Sequence, residues 1–441
     1  MYRVMEWRKS LLVSGALAGV LVVASPAEAG GFGVREQSTE FQGMSFAGNA
    51  AAGGGLSGMF WNPAVAAFAP SGSYSESHFA GVIPDANITG STSVGGVTLP
   101  IGSNGSGEFG SNALVPSSYS SYRLSNELVV ALGINSPFGF RTEPENQNWS
   151  GQTFARESEI KTFNFNPTVA YRPVSWLAIG AGLQIEYIEA TLKNASGVGS
   201  AALDVVVEGD DTAFGWTAGI NITPFAGTNI GLGYRSSIRH VLEGDISIPR
   251  FPGVAAAANG ANIEAEATMP EIITLSLRQA LSAQWALLGT VEKTNWSNVN
   301  KLDIVCAKTD PNPVFCPVGN GQLVRSLELD WHDGWFYSLG LEHEYSSALT
   351  LRAGGAWEKS PIQNPSERTL RVPDADRVWA SLGATYKFDN AISADLAYSH
   401  IWVDDAPIDR TESGLRFVGE AHTDINILSA SVKIHYDELF K

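Results

Sequence analysis

The feature that most restricts this chain is a strict period of two. Near the C-terminus, Leu428, Ala430, Val432, Ile434, Tyr436 and Phe440 share one parity, while Ser429, Ser431, Lys433, His435 and Asp437 hold the other. Side chains of a strand point alternately to opposite faces, so this is an apolar face backed by a polar one. The same alternation runs through Leu177–Tyr187, Ile273–Leu277, Leu349–Trp357, Val378–Phe388 and Ile392–Trp402. It excludes a helical core and leaves an all-β chain.

A soluble sandwich alternates in the same way, so the connections must decide. Very short links (Ser125-Asn126, Pro173 to Ser175, Leu281 to Ala283, Ser346-Ser347, Asp389-Asn390) alternate with long polar or Gly-rich ones near 83–109, 138–160, 194–205, 247–262, 306–324, 360–377 and 405–423. This asymmetry predicts a transmembrane antiparallel β-barrel of fourteen strands, with seven long loops at one end and six tight turns at the other. Trp176, Trp285, Tyr345, Tyr386 and Phe388, near strand ends, suit an interfacial girdle.

The N-terminus agrees. "MYRVMEWRKS" carries Arg3, Arg8 and Lys9, Leu11 to Val23 is apolar, and Ala27-Glu28-Ala29 is a small-x-small cleavage site. That pattern predicts a signal peptide at 1–29, too short to span a bilayer. Removing it takes away three basic and two acidic residues and moves the formal charge from −17 to −18. So acidic a chain is no partner for nucleic acid. Cys306 and Cys316 fit no zinc spacing, and in an exported chain they are expected to form a disulfide. No metal or cofactor is implied.

Residues 30–70 precede the first alternating strand. "AGNAAAGGGLSGMFWNPA" is uncharged and rich in glycine and alanine, a liability if exposed. Fourteen strands enclose a space that needs filling, and a plug inside the barrel accounts for both facts. The stretch "GGFGVREQSTEFQGMSFAGNAAAGGGLSGMFWNPA" resembles the N-terminal hatch of the FadL family of outer-membrane transporters of long-chain fatty acids and hydrocarbons. "NSPFGFRTE", "NFNPTVAYRP", "LTLRAGGAWEKSPI" and "VPDADRVWASLGATYKF" follow in the family's order, so the resemblance spans about 30–436.

That resemblance implies a hatch at 30–70, carried by Phe32, Gly33, Asn62, Pro63 and Ala64, within a barrel at 71–441. It implies uptake of a hydrophobic molecule by loop capture, an internal apolar pocket, hatch movement and lateral exit through the wall. The exit falls at an inward kink of the third strand, here Asn135, Ser136, Pro137, Phe138 and Gly139, where Pro137 removes a ladder donor. The alternative reading of Pro137 is a plain strand end. The nearly uncharged stretch Phe251 to Ile263, with Phe251, Val254 and Ile263, is the expected capture loop. Arg235 and Arg352 are the lumen bases that a fatty-acid carboxylate would seek. "IEATLKN", following Tyr187, is acidic where a base would be looked for, which keeps a monoaromatic or other hydrocarbon as the alternative ligand.

A general porin, or an outer-membrane hydrolase built on "WHD" (331–333) or "EHE" (342–344), is the reading from another class. No nucleophile motif accompanies those histidines, so no enzyme is expected. The expected partners are a hydrophobic ligand and outer-membrane lipid, the expected state a monomer, and the expected location the outer membrane of a Gram-negative bacterium.

Overall fold

Every strand in the computed structural model pairs with its neighbours in sequence, and the last pairs with the first. The structure describes residues 30–197, 199–248, 260–307, 316, 321–439 and 441. The signal peptide expected at 1–29, and Phe251 and Val254 of the capture loop, lie outside the described residues.

The strands are β1 (Ser73–Val94), β2 (Ala113–Arg123), β3 (Leu128–Asn135, resuming at Gly139–Thr142), β4 (Glu157–Val174), β5 (Leu177–Ser196), β6 (Leu203–Phe225), β7 (Thr228–Arg235 and Ile238–Ser247) and β8 (Ala261–Met269 and Ile272–Ala280). They continue as β9 (Trp285–Thr294 and Lys301–Cys306), β10 (Leu323–Glu328 and Gly334–Glu344), β11 (Leu349–Lys359), β12 (Arg377–Lys387), β13 (Ile392–Val403 and Ala406–Glu412) and β14 (Leu415–His435). Pairing of β1 with β14, from Tyr74 opposite His435 to Ser93 opposite Arg416, closes the barrel. Closure leaves no edge strand to be hydrogen-bonded by lipid, which cannot do so.

Outward positions carry the apolar parity. Leu183, Trp216, Leu339, Leu382, Leu396 and Leu428 are all exposed, as a lipid-facing belt requires. Inward positions of the same strands are polar and buried, among them Glu186, Arg235, Arg352, Asp395 and Lys433.

Two of the expected long loops are mostly strand. β1 continues to Val94, and 405–423 is a hairpin in which Ala406–Glu412 pairs with Leu415–Ala421. Its two-residue turn has both Ser413 (φ 49°) and Gly414 (φ 80°) in the left-handed region. Beyond the bilayer the apolar parity turns inward. Ala86, Ile88, Ala406, Ile408, Phe417 and Ala421 pack with Trp149 and Phe154 beneath the loops. Alternation without an outward apolar face reads as loop in the sequence, although the ladder continues.

Candidate functional site

Residues 30–70 lie inside the wall and touch most of its strands. A short helix α1 (Thr39–Gln42) is capped by the Ser38 side chain, and the Asn62 side chain caps the 3-10 turn Pro63–Phe68, with Pro63 at its first position. Asn62 also donates through Nδ2 to Ala50 O (2.7 Å) and to Ile220 O of β6 (3.0 Å). The backbone runs against glycines of the wall. A Cβ at Gly231 would fall 1.8 Å from Ala50 O, and one at Gly233 would fall 1.8 Å from Trp61 O. Only glycine permits this approach.

The charged inner face fastens this body. Glu40 pairs with Lys433 and, at 3.3 Å, with Arg352. Burial alone would raise the Glu40 carboxyl, but Lys433 and Arg352 override it and hold the group below its ordinary range. Glu76 of β1 accepts from Leu56 N (2.8 Å) and Ser57 N (2.9 Å).

The wall is interrupted between β2 and β3. Their ladder ends at Ser118 opposite Ile134 and is rejoined only by a bridge between Gly110 and Thr142. Between these points β3 breaks at Ser136–Phe138, where Pro137 has no N–H to give. The start of the N-terminal segment, residues 30–37, fills this window from inside as a strand-like arm. Gly33 bridges Phe138, Val34 N donates to Pro137 O (2.8 Å), and Gly139 N donates to Phe32 O (2.8 Å). Gln37 Nε2 donates to Ser136 O (2.7 Å), while Ser117 and Tyr119 of β2 donate to Gln37 O. Phe32 and Gly33 are thus brought onto the kink residues. Asn62, Pro63 and Ala64 sit apart, on the wall glycines of β5 and β6.

Phe32 is the centre of an aromatic cluster. Its ring lies 4.7 Å from Trp296, 5.6 Å from Trp331, 6.0 Å from Phe140 and 6.2 Å from Phe138. Ile188, Ile238, Leu242, Met269, Ile362 and Val372 complete the apolar surround. Sequence reasoning named Phe32 and Phe138 but missed Trp296, which lies in a 3-10 turn interrupting β9. Beside the cluster Arg35 reaches Glu292 (2.6 Å) and Glu358 (3.1 Å), with its guanidinium 3.8 Å from the Phe336 ring centre. The cavity between the arm and β9–β11, lined by Val34, Phe60, Pro137, Phe138 and Trp296, holds about 30 Å³. That is room for one water molecule and none for an acyl chain.

The two lumen arginines differ. Arg352 is committed to Glu342 (2.8 Å), Glu40 and Thr385. Arg235 donates to Phe60 O (3.0 Å) and Gln184 and lies 4.3 Å from the Phe60 ring centre, with no carboxylate in ion-pair range among the described residues. Ile263 is buried in β8 opposite Cys306, which is joined to Cys316 by a disulfide. The histidines of the hydrolase reading are dispersed. His332 faces Glu367, and His343 stacks on Trp285 at the turn end.

The sequence model for the outer membrane protein transport proteins (OMPP1/FadL/TodX) matches residues 20–436. The chain belongs to this family. Outer membrane protein P1 of Haemophilus influenzae is 27% identical over 439 residues, covering 90% of both chains. The long-chain fatty acid transport protein of an Escherichia coli strain is 25% identical over 432 residues, 89% of this chain and 92% of that one. The crystal structure of a Pseudomonas aeruginosa FadL homologue superposes with a TM-score of 0.80 at 22% identity, over 92% of this chain and 99% of that one. The Ralstonia pickettii toluene transporter TbuX does so with 0.65 at 15% identity, over 91% and 100%. These last two share the fold. As an OMPP1/FadL/TodX protein the chain is an outer-membrane transport protein of a Gram-negative bacterium.

Proposed function

We propose that this protein takes up long-chain fatty acids across the outer membrane and delivers them sideways into the bilayer. The observation that carries the reading is the sealed window between β2 and β3, with Phe32 seated in an apolar cluster behind it. The ligand takes the place of Phe32, the arm at 30–37 lets go, and the exposed gap leads into the lipid. Losing the buried Phe32 costs about 1.5–3 kcal/mol, which the burial of an acyl chain of several carbons offsets at about 0.8 kcal/mol per methylene. A sideways exit keeps the chain out of water throughout. The exposed loops are the first point of contact, and the protein acts as a monomer with bilayer lipid around it. A porin would need the lumen that residues 30–70 occupy.

Arg235 selects the acid. It is a buried cation with no carboxylate in ion-pair range among the described residues, the nearby Glu186 being paired with His240, and it packs on Phe60, which lines the cavity beside the window. A ligand carboxylate there gains a charge-assisted bond in a dry site. The second reading, a monoaromatic hydrocarbon, is favoured by the cluster of Phe32, Phe138, Phe140, Trp296 and Trp331, which is neutral. Uptake of labelled oleate and toluene in a host lacking its own such transporter separates the two. Saturable oleate uptake supports the fatty-acid reading. Toluene uptake alone moves the function to hydrocarbons, and free passage of small sugars with neither contradicts both.

A further inference from the structure

Glu36 is the one charged side chain of the arm without a fastening. It is 1% exposed, and neither carboxylate oxygen has a hydrogen-bond partner. Its neighbours on both sides are tied, Arg35 to Glu292 and Glu358, and Gln37 to the Ser136 carbonyl. Asn135, the last residue of β3 before the break, is also buried with both amide atoms unpartnered. The seal over the window therefore contains orphaned polar groups on both of its faces.

A buried carboxylate with no donor in good hydrogen-bonding geometry escapes its desolvation cost by taking a proton. Burial pushes the Glu36 carboxyl up to about 7, against the backbone N–H groups of Glu36 and Arg35, which favour the charged form. The charged groups that face it pull in opposite directions. Arg35, on the arm, favours the ionised form but is already shared between Glu292 of β9 and Glu358 of β11. Glu358 itself repels a second negative charge. Tyr119 of β2 gives its hydroxyl to Gln37 O and not to Glu36.

We infer that Glu36 is a proton-binding site that sets how firmly the arm seals the window: protonated it lets the arm dock, and ionised it drives the arm out. The inference rests on the arm acting as the seal. The docked arm holds the proton with a raised pKa, and a released arm returns it to the ordinary range near 4.5. Docking is therefore fully supported below about 4.5. It weakens about tenfold per pH unit up to about 7, and the loss is complete above that, on the order of 10²-fold in all. Acid surroundings keep the barrel shut, and neutral ones prime it.

The test reads the arm without any ligand. Amide exchange of residues 30–37 is followed in the membrane-embedded chain at pH 5 and pH 7.5, for wild type and Glu36→Gln, whose ratio at each pH cancels the intrinsic chemistry of exchange. The expected result is wild-type protection within about fivefold of Glu36→Gln at pH 5 and a further loss of at least tenfold at pH 7.5. Parallel behaviour of the two proteins at both pH values overturns the inference. Should Glu36→Gln fail to fold, Glu36→Asp keeps a carboxyl and must keep the loss of protection between the two pH values; wild type and Glu36→Asp both unchanged overturns it equally. Because no fatty acid is present, failure here is separate from failure of the uptake reading.

Discussion

At the scale of single residues, the inner face of the barrel holds charges that tie the plug to the wall and one that the proposed function assigns to the ligand. Arg352 is shared between Glu40 and Glu342. Arg235 has a carbonyl, an amide and a ring as its partners, with Glu186 and Glu292 near but no carboxylate in ion-pair range among the described residues. Arg235→Gln is predicted to weaken saturable oleate uptake about 10–100-fold, in line with about 1.5–3 kcal/mol for a hydrogen bond to a charged group. Toluene uptake is predicted to stay unchanged, as competition curves for the two ligands would show. Arg35→Met would strand Glu292 and Glu358 in a dry site, at a cost of about 3–5 kcal/mol for a broken buried pair. That cost falls on the arm, because Thr274 still donates to Glu292 and Trp379 to Glu358. The predicted result is loss of amide protection at 30–37 with the thermal unfolding of the barrel unmoved; a large fall in barrel stability would contradict it.

At the scale of elements, two features that stand apart in the sequence meet in one place. The glycine at position 33 and the proline at position 137 are each legible as irregular, but their pairing is not. It exists because closing the sheet brings an N-terminal arm past a strand that ends its ladder early, a coincidence of distant segments that no local pattern encodes. Trp296 was missed for a related reason, since a lone tryptophan in a polar stretch reads as a girdle or loop residue until β9 is seen to break around it. The glycine-rich body was easier to read, because uncharged small residues that cannot form a helix need a wall to lie against. Gly231→Ala tests that fit. Its new methyl would meet Ala50 O, and the prediction is a folded barrel with a displaced plug, measured as faster swelling of liposomes in small sugars. An impermeable variant would mean the plug can shift without opening a path.

At the scale of the whole molecule, the period of two and the parity of the connections sufficed for the architecture, because lipid allows only closed sheets or apolar helices and none of the latter is long enough to cross a membrane among the described residues. The extended hairpin at Ala406–Ala421 was the main architectural surprise, since its apolar side faces the loops' own core and not the membrane. The same barrel shows how the proposed release of an arm of a few residues could leave the rest in place. Glu40, Glu76 and Asn62 pin the body of the plug to β14, β1 and β6, so the arm can move while the body stays.

The claim that ligand leaves through the window between β2 and β3 is tested most directly by locking the arm to the kink. Gly33→Cys with Phe138→Cys joins the two bridged residues, and oleate uptake is then measured oxidised and after reduction, with the wild type, which keeps Cys306–Cys316, as the control for the reductant. The prediction is uptake abolished by the crosslink and restored by reduction, with the wild type unaffected. Undiminished uptake through a fully crosslinked protein would contradict it and place the exit elsewhere.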